Sequence, residues 1–203
     1  MDAQTINAIV LAGGLSQRMG QNKALLLWQH SSFLAHLIDC CAGFFGKVLL
    51  VVKDPALYQE FCGGGVSLVA DLNPDRAAMV GVYSGLVYSD TPWNFVVAVD
   101  MPHWDRAQIR RMMFETHTAS CDHCAPVGVL PVCQGRIHPL KGFYHRDILS
   151  TLTQTVDDKK YNLTKYLESQ SVKLLESDQK FVANINTPHD YQLWQHAVVG
   201  ARC

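Results

Sequence analysis

The chain is short of charge, and neither sign predominates. Only 17% of its 203 residues are charged, and the formal net charge is −1 at pH 7. A nucleic acid held by its phosphate backbone requires a broad basic excess, so this composition argues against such a partner. No apolar run approaches the ~20 residues of a membrane span, and no basic, apolar leader is visible. We therefore expect a cytoplasmic protein that binds neither nucleic acid nor membrane.

Cysteine is present without the pairing that defines a metal site or a disulfide framework. The seven cysteines are odd in number and scattered, which favours reduced thiols. Cys121 and Cys124 have zinc-like spacing, with Cys133 and His138 beyond them, but no second close pair completes the pattern. We predict reduced thiols here, with structural zinc as the alternative.

Linkers, internal repeats and low-complexity runs are also missing. The chain is long enough for one sizeable core, and 48% of its residues are hydrophobic, as in a globular protein. We expect one domain, residues 1–203, with halves of about 1–115 and about 116–203.

Apolar runs and helical patterns alternate in the first half. Strands are predicted at 6–11, 47–52, 66–70 and 94–100, where Val-rich runs are typical of parallel strands buried on both faces. Helices are predicted at 31–41, 80–89 and 105–117. The second half is less regular, with strands at 125–132 and 139–145 and helices at 146–156, 162–170 and 188–199. This order predicts an α/β fold with a mainly parallel sheet and helices on both faces.

A glycine-rich loop follows the first predicted strand, in the stretch IVLAGGLSQRMGQNKALLLW. Leu11 ends the strand, and Gly13 and Gly14 begin the loop at its carboxyl end, where open α/β sheets bind ligands. Glycine lets successive N–H groups face an anion, and Arg18 and Lys23 add positive charge. The loop is neither a G-x-x-x-x-G-K-[ST] nor a G-x-G-x-x-G motif. It predicts a nucleotide phosphate site; the alternative is a glycine-rich turn with two solvated cations.

Carboxylates end two other predicted strands. Nucleoside triphosphates usually require Mg²⁺, and carboxylates at a strand end supply its ligands. Asp100 follows the run that begins at Asn94, and Asp71 follows the weaker strand at 66–70. The alternative for both is a turn or capping aspartate.

The window LAGGLSQRMGQNKALL resembles the signature L-A-[GA]-G-x-[SG]-x-R-M-G-x-x-K of nucleotidyltransferases with a molybdopterin substrate. In particular it resembles the molybdenum cofactor guanylyltransferases, the MobA family. The matching positions are Leu11, Ala12, Gly13, Gly14, Ser16, Arg18, Met19, Gly20 and Lys23. The resemblance implies a Rossmann-like nucleotidyltransferase fold, a first half that binds the nucleotide and a second half that binds molybdopterin.

The resemblance also implies roles for individual residues. The implied nucleotide-binding residues are Leu11, Ala12, Gly13, Gly14, Lys23, Asp71 and Asp100. Arg18, Lys23 and Asp100 are the implied catalytic residues, and Asp100 is the implied Mg²⁺ ligand. Guanylyltransferases typically carry LAGG here and cytidylyltransferases LAAG, so Gly13 implies GTP as the donor.

Two later segments resemble the family near its second substrate. NINTPHDY resembles N-[IV]-[ND]-T-P, and GRIHPLKGFY resembles an H-P-[LT] segment. These matches imply that Asn184, Asn186 and His138 bind molybdopterin. The alternatives are that Asn186 ties the last turn to the sheet and that His138 is a packed strand residue. The chain departs from the family in lacking a proline in AAMVGVYSG and in carrying Lys159-Lys160 where an arginine pair is common.

The resemblance implies transfer of GMP from Mg·GTP to the terminal phosphate of molybdopterin or Mo-molybdopterin, with release of pyrophosphate. Molybdoenzymes or their delivery chaperones are implied as further partners. Two alternatives stay open. One is a CTP-dependent cytidylyltransferase or another small nucleotidyltransferase, and the other is a non-catalytic nucleotide-binding module.

Overall fold

Strands and helices alternate along the chain in the computed structural model, which describes residues 2–13, 27–28, 31–75, 77–118, 125–187 and 189–192. The strands are β1 Asn7–Leu11, β2 Leu27–Trp28, β3 Ser31–Ser32, β4 Lys47–Val52, β5 Val66–Ala70, β6 Trp93–Ala98, β7 Gly128–Cys133, β8 Arg136–Ile137, β9 Lys141–His145 and β10 Val172–Glu176. The α-helices are α1 Phe33–Ala42, α2 Ala78–Tyr88, α3 Arg106–Thr118, α4 Leu149–Asp157 and α5 Leu163–Glu168. Short 3-10 helices cover Ala3–Thr5, Pro55–Phe61 and Arg146–Ile148.

One main sheet has the strand order β10-β7-β9-β6-β1-β4-β5, with β8 paired to β7. The four strands β6, β1, β4 and β5 are parallel to one another. β9 is antiparallel to both of its neighbours, β6 and β7, and β10 is parallel to β7. Strands β2 and β3 form a separate antiparallel pair. The predicted α/β fold with a mainly parallel sheet is confirmed.

Apolar side chains cover both faces of this sheet. Along β1, Ala8 and Val10 belong to a cluster with α1 and α3, whereas Ile9 belongs to a second cluster with α2, α4 and α5. Because the central strands are buried on both faces, their sequences are continuous apolar runs rather than alternating ones.

Local chemistry fixes where the helices begin and how closely they pack. Ser32 caps α1, its Oγ accepting from the Ala35 N–H at 3.1 Å. Asp105 caps α3, its Oδ1 accepting from the backbone N–H of Ala107 at 2.8 Å. Helix α2 lies directly on β1, since a Cβ added to Gly85 would be 2.4 Å from Ile9 Cγ2.

Several predictions of elements need correction. The strand predicted at 94–100 ends at Ala98, because the Met101 N–H donates to the Ala98 carbonyl and closes a turn. Strand β10 was not predicted, since it lies at the sheet edge and its half-exposed sequence mixes polar and apolar residues. Of the helix predicted at 188–199, residues 189–192 are helical, and the rest lies outside the described residues.

The cysteines fall into three groups: free, disulfide-bonded, and outside the described residues. Cys41, Cys62 and Cys133 are free, as predicted. Cys40 is disulfide-bonded, so the prediction of reduced thiols is wrong for this residue; an odd cysteine count does not exclude a single pair. Cys121 and Cys124 lie outside the described residues. Within the described ranges, no helix is long and apolar enough to span a membrane.

Candidate active site

The carboxyl ends of β6, β1, β4 and β5 lie next to one another, and this end of the sheet is its carboxyl edge. The pairing register places Leu11 beside both Ala98 and Val51, and Val52 beside Ala70. The residues that follow these strands therefore lie side by side. They include Ala12, Gly13, Lys53, Asp71 and Asp100.

The loop after β1 and the turn after β6 are joined by backbone hydrogen bonds. The Val99 N–H donates to the Leu11 carbonyl at 3.0 Å, and the Ala12 N–H donates to the Val51 carbonyl at 3.0 Å. Gly13 and Asp100 each come two residues after the paired Leu11 and Ala98. The structure thus brings the Asp100 turn beside the start of the glycine-rich loop. Gly14, Arg18 and Lys23 lie outside the described residues.

Asp71, which follows β5, forms an ion pair with Lys53, which follows β4. Lys53 Nζ lies 2.9 Å from Asp71 Oδ2. The same ammonium donates to the carbonyls of Asn73 at 2.9 Å and Asp75 at 2.7 Å, and so fixes the loop after β5. The Asp71 side chain is only 6% exposed. Its Oδ1 is buried and has no hydrogen-bond partner within the described part of the chain. A buried carboxylate oxygen without a donor is costly, and a ligand can supply that donor.

Two glycines border this carboxylate, and only at Gly13 would a side chain be tight against it. A Cβ added to Gly13 would lie 3.3 Å from Asp71 Oδ2, and one added to Gly81 on α2 would lie 3.9 Å from Asp71 Oδ1. Lys53 was missed as a candidate. The available signal was a charged residue directly after the buried strand β4, at the same edge as the other candidates.

The segment Asn184–Asn186 lies against Asp100. The Ile185 N–H donates to the Asp100 carbonyl at 2.8 Å. Asn184 is exposed and Asn186 is half-buried. The Asn186 N–H donates to Asp190 Oδ2 at 3.0 Å, which lowers the pKa of that carboxyl and fixes the chain beyond the asparagines.

His138 approaches the same edge from the β9 side. The backbone N–H of His138 donates to the Pro131 carbonyl at 3.0 Å. Two residues further along, the Leu140 carbonyl accepts from the backbone N–H of Ala98 at 2.9 Å, which places this segment beside the end of β6. Burial, with a smaller effect of the nearby Arg136 charge, lowers the pKa of His138 below its ordinary value. The half-buried ring is therefore neutral near pH 7 and offers one donor and one acceptor.

The described residues fit a Mg²⁺ ion only in one mode of binding. Among them, no three His, Cys, Asp or Glu side chains cluster as a metal cage. Mg²⁺ is often held by one or two carboxylates together with substrate phosphates and water. The half-buried Asp100, beside the glycine-rich loop, suits that mode.

Comparison with known proteins shows the family and the fold. The model of the MobA-like NTP transferase domain matches residues 8–174. A molybdenum cofactor guanylyltransferase of Syntrophotalea carbinolica is 27% identical over 198 residues, covering 93% of this chain and 90% of the relative.

Solved structures share the fold. The molybdopterin-guanine dinucleotide biosynthesis protein A of Archaeoglobus fulgidus superposes with a TM-score of 0.80 at 17% identity, covering 95% of this chain and 98% of that one. A Mycobacterium tuberculosis protein in complex with manganese gives a TM-score of 0.64 at 17% identity, covering 97% and 100% of the two chains.

Proposed function

The chain belongs to the MobA-like NTP transferase family, and we propose that it is a GTP:molybdenum cofactor guanylyltransferase. It transfers GMP from Mg·GTP to the terminal phosphate of molybdopterin or Mo-molybdopterin and releases pyrophosphate. The name of the S. carbinolica relative supports this choice of reaction.

One observation carries the proposal. The 3.0 Å hydrogen bond from the Val99 N–H to the Leu11 carbonyl holds the Asp100 turn beside Ala12 and Gly13, where the glycine-rich loop starts. A carboxylate and a run of backbone amides at one sheet edge form a combination that suits a metal-bound triphosphate.

The first half of the chain binds the nucleotide in this proposal. Amides of the loop beginning at Ala12 and Gly13, with Arg18 and Lys23, neutralise the phosphates. Asp71 Oδ1, which has no donor among the residues that the structure describes, accepts a hydrogen bond from the nucleoside in this proposal. Lys53 holds the other carboxylate oxygen and thereby sets the direction in which Oδ1 faces.

The second half binds the acceptor. Asn184 and Asn186 reach it from the segment beside Asp100, and neutral His138 reaches it from the β9 side. Amide and imidazole groups suit a pterin, whose edge presents both donors and acceptors.

Transfer requires positioning and charge neutralisation rather than a strong base. The terminal phosphate oxygen of molybdopterin bonds to the α-phosphorus of GTP, and the bond from that phosphorus to the bridging oxygen breaks. Pyrophosphate leaves with the electron pair. The attacking oxygen is already anionic, so no proton has to be removed. Asp100 would hold a Mg²⁺ ion together with the phosphates, and the ion would neutralise charge at the triphosphate. The manganese complex of the M. tuberculosis neighbour supports a divalent ion in this fold.

Two measurements test the proposal. Purified protein with Mg²⁺, GTP and molybdopterin should release pyrophosphate, and omission of molybdopterin should abolish the release. GTP with Mg²⁺ should raise the thermal midpoint more than CTP, UTP or ATP does. Equal shifts for all four nucleotides would remove the guanine assignment, and a larger shift with CTP would favour a cytidylyltransferase. Stabilisation by GTP without pyrophosphate release would indicate a non-catalytic binding module.

A further inference from the structure

Four successive backbone carbonyls, those of residues 100–103, are each held by a donor from another part of the chain. The first, at Asp100, accepts from the Ile185 N–H at 2.8 Å. Lys141 Nζ donates to the Met101 carbonyl at 3.0 Å and also to the His103 carbonyl. The His36 side chain is hydrogen-bonded to the backbone of Pro102, which has no N–H and so accepts through its carbonyl.

Lys141 is an unusual residue for its place. It lies on β9, paired with Val97 of β6, and it is fully buried at 0% exposure. No carboxylate among the described residues forms an ion pair with it; its Nζ lies 4.5 Å from the centre of the Phe181 ring. Burial lowers its pKa to about 7. Since even the neutral amine keeps two N–H groups, Lys141 can serve both carbonyls in either protonation state.

A buried lysine at this position lowers the stability of the fold, so a purely structural role explains it poorly. A buried amine without an anionic partner is costly to desolvate, and an apolar side chain of similar volume is often at least as stabilising. Within the described residues, both hydrogen bonds of the Lys141 side chain go to the turn that follows Asp100. Its position therefore favours a role in the geometry of that turn.

We propose that Lys141 is a positioning residue that fastens the 100–103 turn, with help from His36, so that the Asp100 carboxylate faces the metal-bound nucleotide. This inference rests on the proposed function, because it takes Asp100 to be the Mg²⁺ ligand. Lys141 acts through backbone carbonyls and touches neither substrate nor metal. Active-site groups must be held to within about 0.5 Å, and donors behind the reacting residues commonly supply that precision.

Lys141→Met tests the role, because methionine keeps the length of the side chain and removes its donors. Phe143→Leu is the matched control: Phe143 lies two residues along β9, is also fully buried, makes ring contacts with Phe45 and Phe95, and has no side-chain donor for the turn. Hydrogen exchange of the metal-free protein gives the first readout, at the amides of Met101 and Ile185, which donate to Ala98 and Asp100. Binding of Mn²⁺ in the presence of GTP, followed by electron paramagnetic resonance, gives the second.

Lys141→Met should speed exchange at both amides and weaken Mn²⁺ binding about ten-fold, with a similar rise in the Mg²⁺ concentration for half-maximal turnover. Phe143→Leu should lower the thermal midpoint while leaving the exchange rates and both metal values unchanged. Unchanged metal binding in a folded Lys141→Met protein, or equal losses in the two variants, would overturn the proposal.

His36→Leu decides the question if Lys141→Met does not fold. It removes the donor to Pro102 and should shift the same readouts in the same direction by about two- to three-fold. No shift in this variant would contradict the proposed fastening of the 100–103 turn. The inference and the proposed function fail separately. Wild-type protein without Mg²⁺-dependent turnover contradicts the function, whereas wild-type turnover with unaltered variants contradicts only the role of Lys141.

Discussion

The two ends of the central strands, where they begin (the amino edge) and where they finish (the carboxyl edge), carry polar residues of different kinds. At the amino edge, where β1 and β6 begin, the side chains satisfy one another. Asn7 Nδ2 donates to Ser89 Oγ at 3.0 Å, Ser89 Oγ donates to Asn94 Oδ1, and Asn94 Nδ2 donates to the Thr91 carbonyl at 3.1 Å. At the carboxyl edge, the buried Asp71 Oδ1 has no donor within the described ranges.

We propose that this difference separates structural polar groups from functional ones. A closed network is stable by itself and fixes how two strands start, so its loss should be felt in folding. An acceptor that is buried and unsatisfied reduces stability, and completion by a ligand is one reason for retaining it. The predictions below test this contrast by exchanging polar groups at each edge.

Asp100→Asn at the carboxyl edge should have the largest effect. The substitution keeps the shape of the side chain and removes the charge that Mg²⁺ requires, so kcat should fall on the order of 10²–10³-fold. Steady-state pyrophosphate release measures this. The thermal midpoint without nucleotide should stay close to that of the wild type. A variant with near-normal kcat would show that Asp100 is not the metal ligand.

Asp71→Asn should act mainly on the nucleotide. Loss of the anionic acceptor should raise the KM for GTP about ten-fold with a smaller change in kcat, because the contact is present in ground state and transition state alike. Asp90→Asn is the matched control, since Asp90 accepts from Asn7 Nδ2 at the amino edge and asparagine retains an acceptor there. Equal kinetic effects of the two substitutions would remove the distinction between the edges.

Asn7→Ala at the amino edge should show the reverse pattern. It removes the donor to Ser89 and Asp90, and the free energy of unfolding should fall by about 1–3 kcal/mol. Urea denaturation measures the loss. Turnover per folded molecule should match the wild type at a temperature where both are folded. A change in kcat/KM would mean that this network also serves the site.

Gly13→Ala should have the smallest effect. The backbone of Gly13 is outside the left-handed region, so only packing opposes a Cβ, which would lie 3.3 Å from Asp71 Oδ2. A displacement of a few tenths of an ångström at that carboxylate should raise the KM for GTP about two- to five-fold. Gly43→Ala offers a similar contact, 3.2 Å from the Asp39 carbonyl, away from the site. If both variants bind GTP like the wild type, the fit between Gly13 and Asp71 does not matter for binding.

Much of the fold could be predicted because its strongest signals are local. The strands predicted at 47–52 and 66–70 coincide with β4 and β5. Burial on both faces makes such strands continuous apolar runs, which are visible without any tertiary information. The edge strand β10 has no such run and was missed.

The candidate residues that directly follow parallel strands could be predicted from the sequence, because the carboxyl ends of such strands lie together. That rule places Gly13, Asp71 and Asp100 at one edge, and the structure brings them there. Lys53 follows β4 directly, so the same rule could have found it. Lys141 could not be found in this way, since its hydrogen bonds reach a segment distant in sequence. The roles of Arg18 and Lys23 stay predictions.

A crystal structure with GTP and Mn²⁺ tests the central claim most directly, because the anomalous signal of manganese locates the ion independently of the nucleotide. The proposed function predicts a peak about 2.1 Å from an Asp100 carboxylate oxygen, with the triphosphate over Gly13 and a nucleoside donor on Asp71 Oδ1. Manganese bound away from Asp100, or GTP bound away from the carboxyl edge of β1, would contradict it.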